Sequence, residues 1–396
     1  MTADTPLPFL RTDDPAQAAA QAFDSRFHAA MAPLFGGLSP IALALATTDW
    51  ALHLATQPAQ SARLWASAWQ GALQWWGQTL GRAPLSSGDP RYRDPAWQQW
   101  PWAPVVNASH AAEAWWGDAT ALRGMSPHHQ DMTRFFARQW LDMLSPANAG
   151  LANPEVLQRT RERLGGNLVD GALNALDGWR REHALPPLRE PAAQYRPGHE
   201  VAITPGQVVH RNHLTELIQY LPKTARVQAE PVFIVPSWIM KYYILDLSPE
   251  NSLVRWLVDQ GHTVFILSWR NPDESDALLG MADYLEQGVL DNLAAIARLV
   301  PEQPVHACGY CLGGTLLSLA AAALARPEQV AGADQLPALA SVSLLAAETD
   351  FSEPGEMGVL IDESQVTMIE DMMAERGYLS GRQMAGSFAY LHSREL

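Results

Sequence analysis

Residues 306–317 read HACGYCLGGTLL and contain both cysteines of the 396-residue chain, Cys308 and Cys311. Their C-x-x-C spacing suits a redox pair, half of a metal site, or one nucleophile beside an unrelated cysteine. The apolar, branched run at 305–308 predicts a buried strand, and the apolar run at 313–325 predicts a helix. Cys311 therefore lies in a predicted strand-to-helix turn.

The turn has the pattern G-x-C-x-G, with Gly309 and Gly313 on either side of Cys311. In so tight a turn, the residues two before and two after the nucleophile crowd its backbone, and glycine removes the clashing Cβ. A nucleophile placed there projects at a helix N-terminus, where free amides and the helix dipole favour a thiolate and a developing oxyanion. The amide of Leu312 is the first expected oxyanion donor.

The other two interpretations of the cysteine pair fit less well. A thioredoxin-like pair needs its first cysteine exposed at the helix start, whereas Cys308 falls inside the apolar strand and is expected to be a small core residue. Zinc needs two further ligands at recognisable spacing, and the sequence offers none. We therefore favour a single nucleophile at Cys311 and expect neither a metal nor a cofactor.

The second half of the chain alternates strands with helices. Strands are predicted at the apolar runs 232–235, 263–269, 305–308 and 340–346, and helices at 249–260, 281–299 and 313–325. This order predicts an α/β fold with a parallel sheet covered on both faces. The predicted domains are a loosely ordered tail at 1–29, a helical N-terminal domain at 30–195 and an α/β core at 205–396.

One helix of the first half carries a stripe of large apolar residues at helical spacing, Trp65, Trp69, Leu73 and Trp76. Such a stripe usually marks a buried face, so we expect it to point inward. The alternative is a surface for a hydrophobic partner.

Composition limits the class of protein. The net charge of −15 argues against a nucleic-acid partner. The N-terminus, MTADTPLPFLRTDDPAQ, has neither the basic region nor the apolar region of a secretory signal. The longest apolar run, 313–325, is too short to cross a bilayer, so no transmembrane segment is expected. These features predict a cytoplasmic protein.

Several longer stretches resemble the polyhydroxyalkanoate synthases, the bacterial polyester polymerases. They are PVFIVPSWIMKYYILDLSPENSLVRWLVDQGHTVFILSWRNPDESD (231–276), GYCLGGT (309–315), RDPAW (93–97) and GMSPHHQDMTRFFARQWLDMLSPAN (124–148). The resemblance extends from about residue 30 to the last residue. It implies an α/β-hydrolase core after a helical domain, and polymerisation of (R)-3-hydroxyacyl-CoA, with 3-hydroxybutyryl-CoA as the expected substrate, into a storage polyester.

The resemblance also implies roles and partners. Cys311 would be the nucleophile, and the loop after the first predicted strand would supply a second oxyanion amide from Trp238 or Ile239. The CoA thioester is a substrate and not a cofactor. The expected partners are the growing polyester chain, the granule surface, and either a second copy of the chain or an intact synthase.

Two departures from the family bear on activity. The family's catalytic Asp and His lie beyond the end of this chain, so we expect a core truncated in the cap region, inactive alone, with strand 340–346 at an open edge. Asp350 as acid and His392 as base are weaker substitutes. Met240 stands where many members of the family have Asn. Two alternatives therefore stay open: a non-catalytic fragment that binds an intact synthase or granules, and a thiol esterase-like hydrolase.

Overall fold

A computed structural model of the chain describes residues 14–32, 38–81, 88–183, 185–189, 195–381 and 383–384. They fall into two compact units. The first comprises the described residues within Met1–Arg26, Ala192–Pro354 and Met372–Met384, and the second those within Phe27–Pro191, Gly355–Asp371 and Ala385–Leu396. Gly355–Asp371 thus groups with the helical residues, although the predicted core at 205–396 included it. The predicted domain boundaries remain a prediction.

The second unit is built from helices. They are α2 (Pro40–Thr56), α3 (Pro58–Gly81), α4 (Trp102–Ala119), α5 (Pro127–Met143), α6 (Pro154–Glu162) and α7 (Gly166–Glu182). Four of them begin at a proline, whose fixed φ suits the first helical position. Short 3₁₀ turns at Pro90–Tyr92, Pro95–Gln98, Pro146–Asn148, Gly150–Ala152 and Gly355–Leu360 complete it.

Helix α1 (Pro15–Met31) lies mostly within the stretch that we predicted to be loosely ordered. That expectation is wrong from residue 15 onward. The segment PAQAAAQAF is rich in alanine, the strongest helix former, and proline occupies its first position. Residues 1–13 lie outside the described part of the chain.

The aromatic stripe of α3 faces outward, so the expectation of a buried face is wrong. The side chains of Trp65, Trp69, Leu73 and Trp76 are 76%, 68%, 57% and 58% exposed. The opposite face carries Leu64, which is buried, and Trp75, whose indole N–H donates to the carbonyl of Pro104 at 2.6 Å.

The first unit contains a six-stranded mixed sheet in the order β1-β2-β4-β3-β5-β6. The strands are β1 (Gly206–Arg211), β2 (Thr215–Tyr220), β3 (Val232–Val235), β4 (Val264–Trp269), β5 (Val305–Tyr310) and β6 (Leu339–Leu345). The last four are parallel and confirm the four predicted strands, whereas β1 and β2 add an antiparallel hairpin. The hairpin was missed because GQVVHR and TELIQY mix polar and apolar residues.

The helices of this unit follow the predicted alternation. They are α8 (Leu253–Asp259), α9 (Met281–Asp283) with a π-helical turn (Tyr284–Leu290), α10 (Asp291–Leu299), α11 (Leu312–Leu324) and, extending into the second unit, α12 (Glu363–Arg376). Further 3₁₀ turns occupy Tyr242–Leu245, Glu274–Asp276, Pro327–Gln329 and Ala333–Gln335. No helix among the described residues is long and apolar enough to cross a membrane.

Both faces of the sheet are packed. Phe233 belongs to a cluster with Leu293 and Leu316, whereas its neighbour Ile234 belongs to a cluster with Val254 on the other face. Successive residues of a strand point to opposite faces, so the two clusters cover the two sides. This confirms the predicted packing on both sides for the central strands, whereas every residue of β6 except Leu339 is exposed.

Asp246 is a fully buried carboxylate that fastens the segment before β1 to the segment after β3. It accepts hydrogen bonds from the hydroxyls of Thr204 and Ser252, both at 2.6 Å, and from the backbone N–H of Thr204 at 3.3 Å. Hydrogen bonds to a charged group are stronger than neutral ones, and a buried carboxylate without them is costly. These donors therefore stabilise the connection that leads into the sheet.

We expect Asp246→Asn to lower the free energy of unfolding by about 1–3 kcal/mol, because one acceptor oxygen becomes a donor facing the Thr204 N–H. Asp259→Asn is the matched control, since Asp259 pairs with Lys223 at the surface and the change should cost less than about 1 kcal/mol. Urea titrations followed by circular dichroism measure both. An equal effect of the two changes would contradict this role of Asp246.

Candidate active site

Cys311 joins the end of β5 to the start of α11 in a strained backbone conformation. Its φ of 55° and ψ of −130° lie in a region that residues with a Cβ seldom adopt, at a cost of about 1–3 kcal/mol. Its N–H donates to the carbonyl of Leu345 on β6 at 2.9 Å, and its carbonyl accepts from the N–H of Gly314 at 2.8 Å. The edge strand and the first helical turn therefore hold the strained residue in place.

Gly309 and Gly313, the two predicted elbow glycines, lie where backbone approaches backbone. A Cβ on Gly309 would lie 2.3 Å from the Cα of Gly314, and one on Gly313 would lie 2.2 Å from the carbonyl oxygen of Val235. Neither neighbour is a side chain that could move aside. The start of α11 thus touches the ends of both β3 and β5.

Sequence reasoning missed the contribution of Gly314. A Cβ there would lie 2.4 Å from the Cβ of Ala347, in the segment that follows β6. The available signal was the second glycine of the pair GG at 313–314. Three glycines, and not two, therefore let α11 begin against three neighbouring segments.

The loop after β3 approaches the same strand-to-helix turn. Ser237 is fully buried, and the carbonyl of Pro236 accepts a hydrogen bond from the indole N–H of Trp269 at 2.7 Å. The amide of Ile239 donates to the hydroxyl of Ser237 at 3.4 Å. No hydrogen bond formed within the described part of the chain uses the amides of Leu312 or Trp238. Of the two amides expected from this loop, that of Trp238 is the one left without an internal acceptor.

An aromatic cluster that sequence reasoning did not single out supports this loop. The rings of Trp269 and Tyr284 stack at 5.5 Å between centroids, and Trp238 lies 5.6 Å from Tyr284. The π-helical turn provides room at Gly288, where a Cβ would lie 2.2 Å from the Trp269 ring. Burial raises the pKa of Tyr284 above its ordinary value. These contacts therefore position Trp269 so that its indole N–H donates to the carbonyl of Pro236.

Cys308 lies on β5 just before the turn, is partly buried and packs against the cluster that contains Ile234 and Ile266, at the margin of the core and not inside it as expected. Burial raises the pKa of its thiol. Both cysteines are free, so the C-x-x-C pair forms no bridge in this structure.

The residues considered as acid and base are not brought to Cys311 by the described structure. Asp350 is exposed and accepts the N–H of Ser352 at 3.0 Å, which lowers the pKa of its carboxyl. It is a turn aspartate with no imidazole partner among the described residues. His392 lies outside the described part of the chain. Within that part, no histidine is hydrogen-bonded to the thiol of Cys311.

Comparison with protein families identifies two matching models. Residues 88–257 match the model described as poly-beta-hydroxybutyrate polymerase (PhaC) N-terminus, and residues 18–60 match poly-beta-hydroxybutyrate polymerase N terminal. Together the two stretches take in more than half of the chain.

Curated relatives agree with these models. A poly(3-hydroxyalkanoate) polymerase of Methylorubrum extorquens is 36% identical over 87% of this chain and 56% of its own length. A polymerase subunit of Rhizobium meliloti is 33% identical over 81% of this chain and 53% of its own length. A polymerase subunit of Cupriavidus necator is 38% identical over 66% of this chain and 44% of its own length. The chain thus spans about half the length of these relatives.

A solved structure, that of an inhibited esterase B from Lactobacillus rhamnosis, overlaps 54% of this chain and 66% of its own. The identity is 15% and the TM-score is 0.30.

The two cysteines should differ in reactivity. We expect iodoacetamide to modify Cys311 before Cys308 near neutral pH, because burial raises the pKa of Cys308 and keeps it in the unreactive thiol form. Modification of Cys308 should rise only as the pH becomes more alkaline. Peptide mass spectrometry over a pH series measures both sites, and faster labelling of Cys308 at neutral pH would contradict the assignment.

Proposed function

The chain belongs to the poly-beta-hydroxybutyrate polymerase family, and from this premise we propose that it is an acyltransferase of polyester storage whose nucleophile is Cys311. The observation that carries the proposal is the strained residue itself. Cys311 is held at φ 55° between a strand end and a helix start by backbone contacts that only glycine permits. Backbone strain of this kind clusters at functional sites.

The reaction begins with a thiol exchange. The thiolate of Cys311 attacks the carbonyl carbon of (R)-3-hydroxyacyl-CoA, a new carbon–sulfur bond forms, and the bond to the CoA sulfur breaks. The CoA thiolate leaves and takes up a proton, while the acyl group stays on Cys311. One thioester replaces another, so little free energy is lost. The hydroxyl at the end of a polyester chain can then attack the acyl-enzyme and return Cys311 to its thiol.

Backbone amides would stabilise the oxyanion that forms during each attack. Leu312, the first residue of α11, and Trp238, in the loop after β3, have amides without an internal acceptor among the described residues. We therefore favour Trp238 over Ile239, whose amide already donates to Ser237. Loss of a single such donor typically lowers kcat by about 10² to 10³.

The same geometry leads us to propose slow acylation without sustained turnover by this chain alone. The thiolate, not the thiol, is the nucleophile, and no imidazole within the described residues is bonded to Cys311. Absence of a general base typically costs about 10² to 10⁴ in rate. The base and the acid would have to come from residues outside the described part.

The same proposal includes an α/β-hydrolase core for the fold and the cytoplasmic granule surface as the place of action. The strand order, the antiparallel second strand and the turn at Cys311 suit an α/β-hydrolase core, whose nucleophile sits on a strained strand-to-helix turn. A cytoplasmic enzyme at the surface of polyester granules would meet both of its substrates there. We take 3-hydroxybutyryl-CoA as the substrate for the test.

Incubation with 3-hydroxybutyryl-CoA should release about one CoA per chain and add one hydroxybutyryl group, detected by a thiol assay and by intact mass. Cys311→Ala should abolish both signals, whereas Cys308→Ala, a change on β5 at a partly buried thiol, should retain them. An adduct that persists in Cys311→Ala would overturn the proposed nucleophile. Sustained polymer formation by this chain would contradict only the proposed need for an external base. Release of free hydroxy acid without polymer would instead support a thiol esterase-like hydrolase.

The outward stripe of α3 favours a second role, in which the helical unit binds the apolar polyester surface. Three tryptophans and two leucines lie along one face of this helix, which carries a single charged residue, Arg63. An exposed apolar stripe of this size is typical of an interaction surface. This role needs no turnover and fits the alternative of a non-catalytic binding protein.

We expect the double change Trp69→Ala and Trp76→Ala to weaken binding to poly(3-hydroxybutyrate) particles at least about tenfold, because two large apolar contacts are lost. Trp140→Ala is the matched control, since Trp140 is 60% exposed on another helix. Co-sedimentation across a range of particle concentrations measures the affinity. An unchanged affinity in the double variant would count against this role of α3.

A further inference from the structure

The carbonyl of Pro236 lies at the contact between the loop after β3 and the first turn of α11. A Cβ on Gly313 would lie 2.5 Å from this carbonyl oxygen, so the helix passes close beside it. The same oxygen accepts the indole N–H of Trp269, the last residue of β4, at 2.7 Å. This hydrogen bond therefore orients the peptide that joins Pro236 to Ser237, next to the helix that begins after Cys311.

The amide of Trp238 belongs to the next peptide along the chain. The N–H of Met240 donates to the carbonyl of Ser237 at 3.2 Å, which closes a turn with Trp238 and Ile239 at its centre. The carbonyl of Ser237 and the N–H of Trp238 share one planar trans peptide, so they point in opposite directions. The N–H of Trp238 is therefore directed out of the turn, along a line that follows from the orientation of the peptide before it.

The indole of Trp269 reaches Pro236 because Gly288 leaves room for its ring. A Cβ on Gly288 would lie 2.2 Å and 2.8 Å from the ring carbons Cη2 and Cζ3 of Trp269. Gly288 is buried in the π-helical turn, and turns of this kind are frequent at functional sites. The ring also stacks on Tyr284, the first residue of the same turn. The π-helical turn therefore fixes the ring from two positions.

We propose that Trp269 is a positioning residue for acyl transfer, and that its indole N–H, acting through Pro236, holds the amide of Trp238 where the oxyanion forms. The inference rests on the proposed function of Cys311 and adds a residue from another strand to it. Donors that are already oriented stabilise the charge of the transition state without reorganisation. A loop free to rotate would lose this advantage, although the thiol itself would be unchanged.

The test compares two reactions of the same thiol. Acylation by 3-hydroxybutyryl-CoA places negative charge on a carbonyl oxygen, whereas alkylation by iodoacetamide displaces iodide and forms no oxyanion. Both reactions consume the thiolate of Cys311, so a change in its ionisation affects the two rates alike. Release of CoA and intact mass measure a single turnover of acylation, and peptide mass spectrometry measures alkylation. The ratio of the two rates therefore reports on the oxyanion donors.

Trp269→Phe keeps a ring beside Tyr284 but has no N–H for the carbonyl of Pro236. We expect its acylation rate at saturating substrate to fall at least about tenfold, because loss of a whole donor typically costs about 10² to 10³. The half-saturating concentration and the alkylation rate should not change, since the interaction is made only in the transition state. Trp256→Phe, the same change at a residue 57% exposed on α8, is the matched control and should alter neither rate.

Gly288→Ala is a second variant that acts on the same hydrogen bond. Its Cβ should displace the ring of Trp269 and slow acylation by a factor similar to that of Trp269→Phe. In the Trp269→Phe background the two outer ring carbons are absent, so Gly288→Ala should have little further effect. General destabilisation of the fold would not give this result, because independent losses add.

Wild-type acylation by Trp269→Phe, with unchanged circular dichroism, would overturn the inference and leave the proposed function intact. Equal changes in acylation and alkylation would also overturn it, because they would show a disturbed thiol and not a misdirected amide. Full additivity of Trp269→Phe and Gly288→Ala would do the same. If the wild-type chain is alkylated at Cys311 but releases no CoA, the proposed function fails and the inference fails with it.

Discussion

The site depends on one steric constraint, the close approach of the first turn of α11 to the ends of β3 and β5. At Gly309 and Gly313 the nearest neighbours are backbone atoms that would lie 2.2–2.3 Å from any added Cβ. Because helix and strands can approach this closely, Cys311 is forced into a turn with positive φ at a helix start. The strain is offset by hydrogen bonds from the turn to β6 and within α11.

A consequence is that the electrostatics of the site come mainly from backbone groups. The amides of Leu312 and Trp238 have no internal acceptor among the described residues. The loop that carries Trp238 is positioned by a series of contacts. Trp269 donates to Pro236, and the space for its ring exists because Gly288 has no side chain. A π-helical turn carries that glycine, and such turns often occur near functional sites. The aromatic cluster thus supports the loop after β3.

The sequence predicted the parts of this arrangement that depend on local pattern. Continuous apolar runs identified the four parallel strands, and the glycine spacing identified the turn. The hairpin of β1 and β2 was missed because both strands mix polar and apolar residues. The direction of the α3 stripe was wrong because periodicity shows that a helix has two faces and not which one is covered. The contact between Trp269 and Gly288 joins distant residues and left no local signal.

The central claim, that Cys311 carries an acyl group facing two backbone amides, is tested most directly by a crystal structure of the chain acylated at that residue by a stable substrate analogue. We predict the carbonyl oxygen of the adduct at about 2.7–3.1 Å from the amide nitrogens of both Leu312 and Trp238. A carbonyl oxygen directed into solvent, or a Cys311 bridged to Cys308, would contradict it.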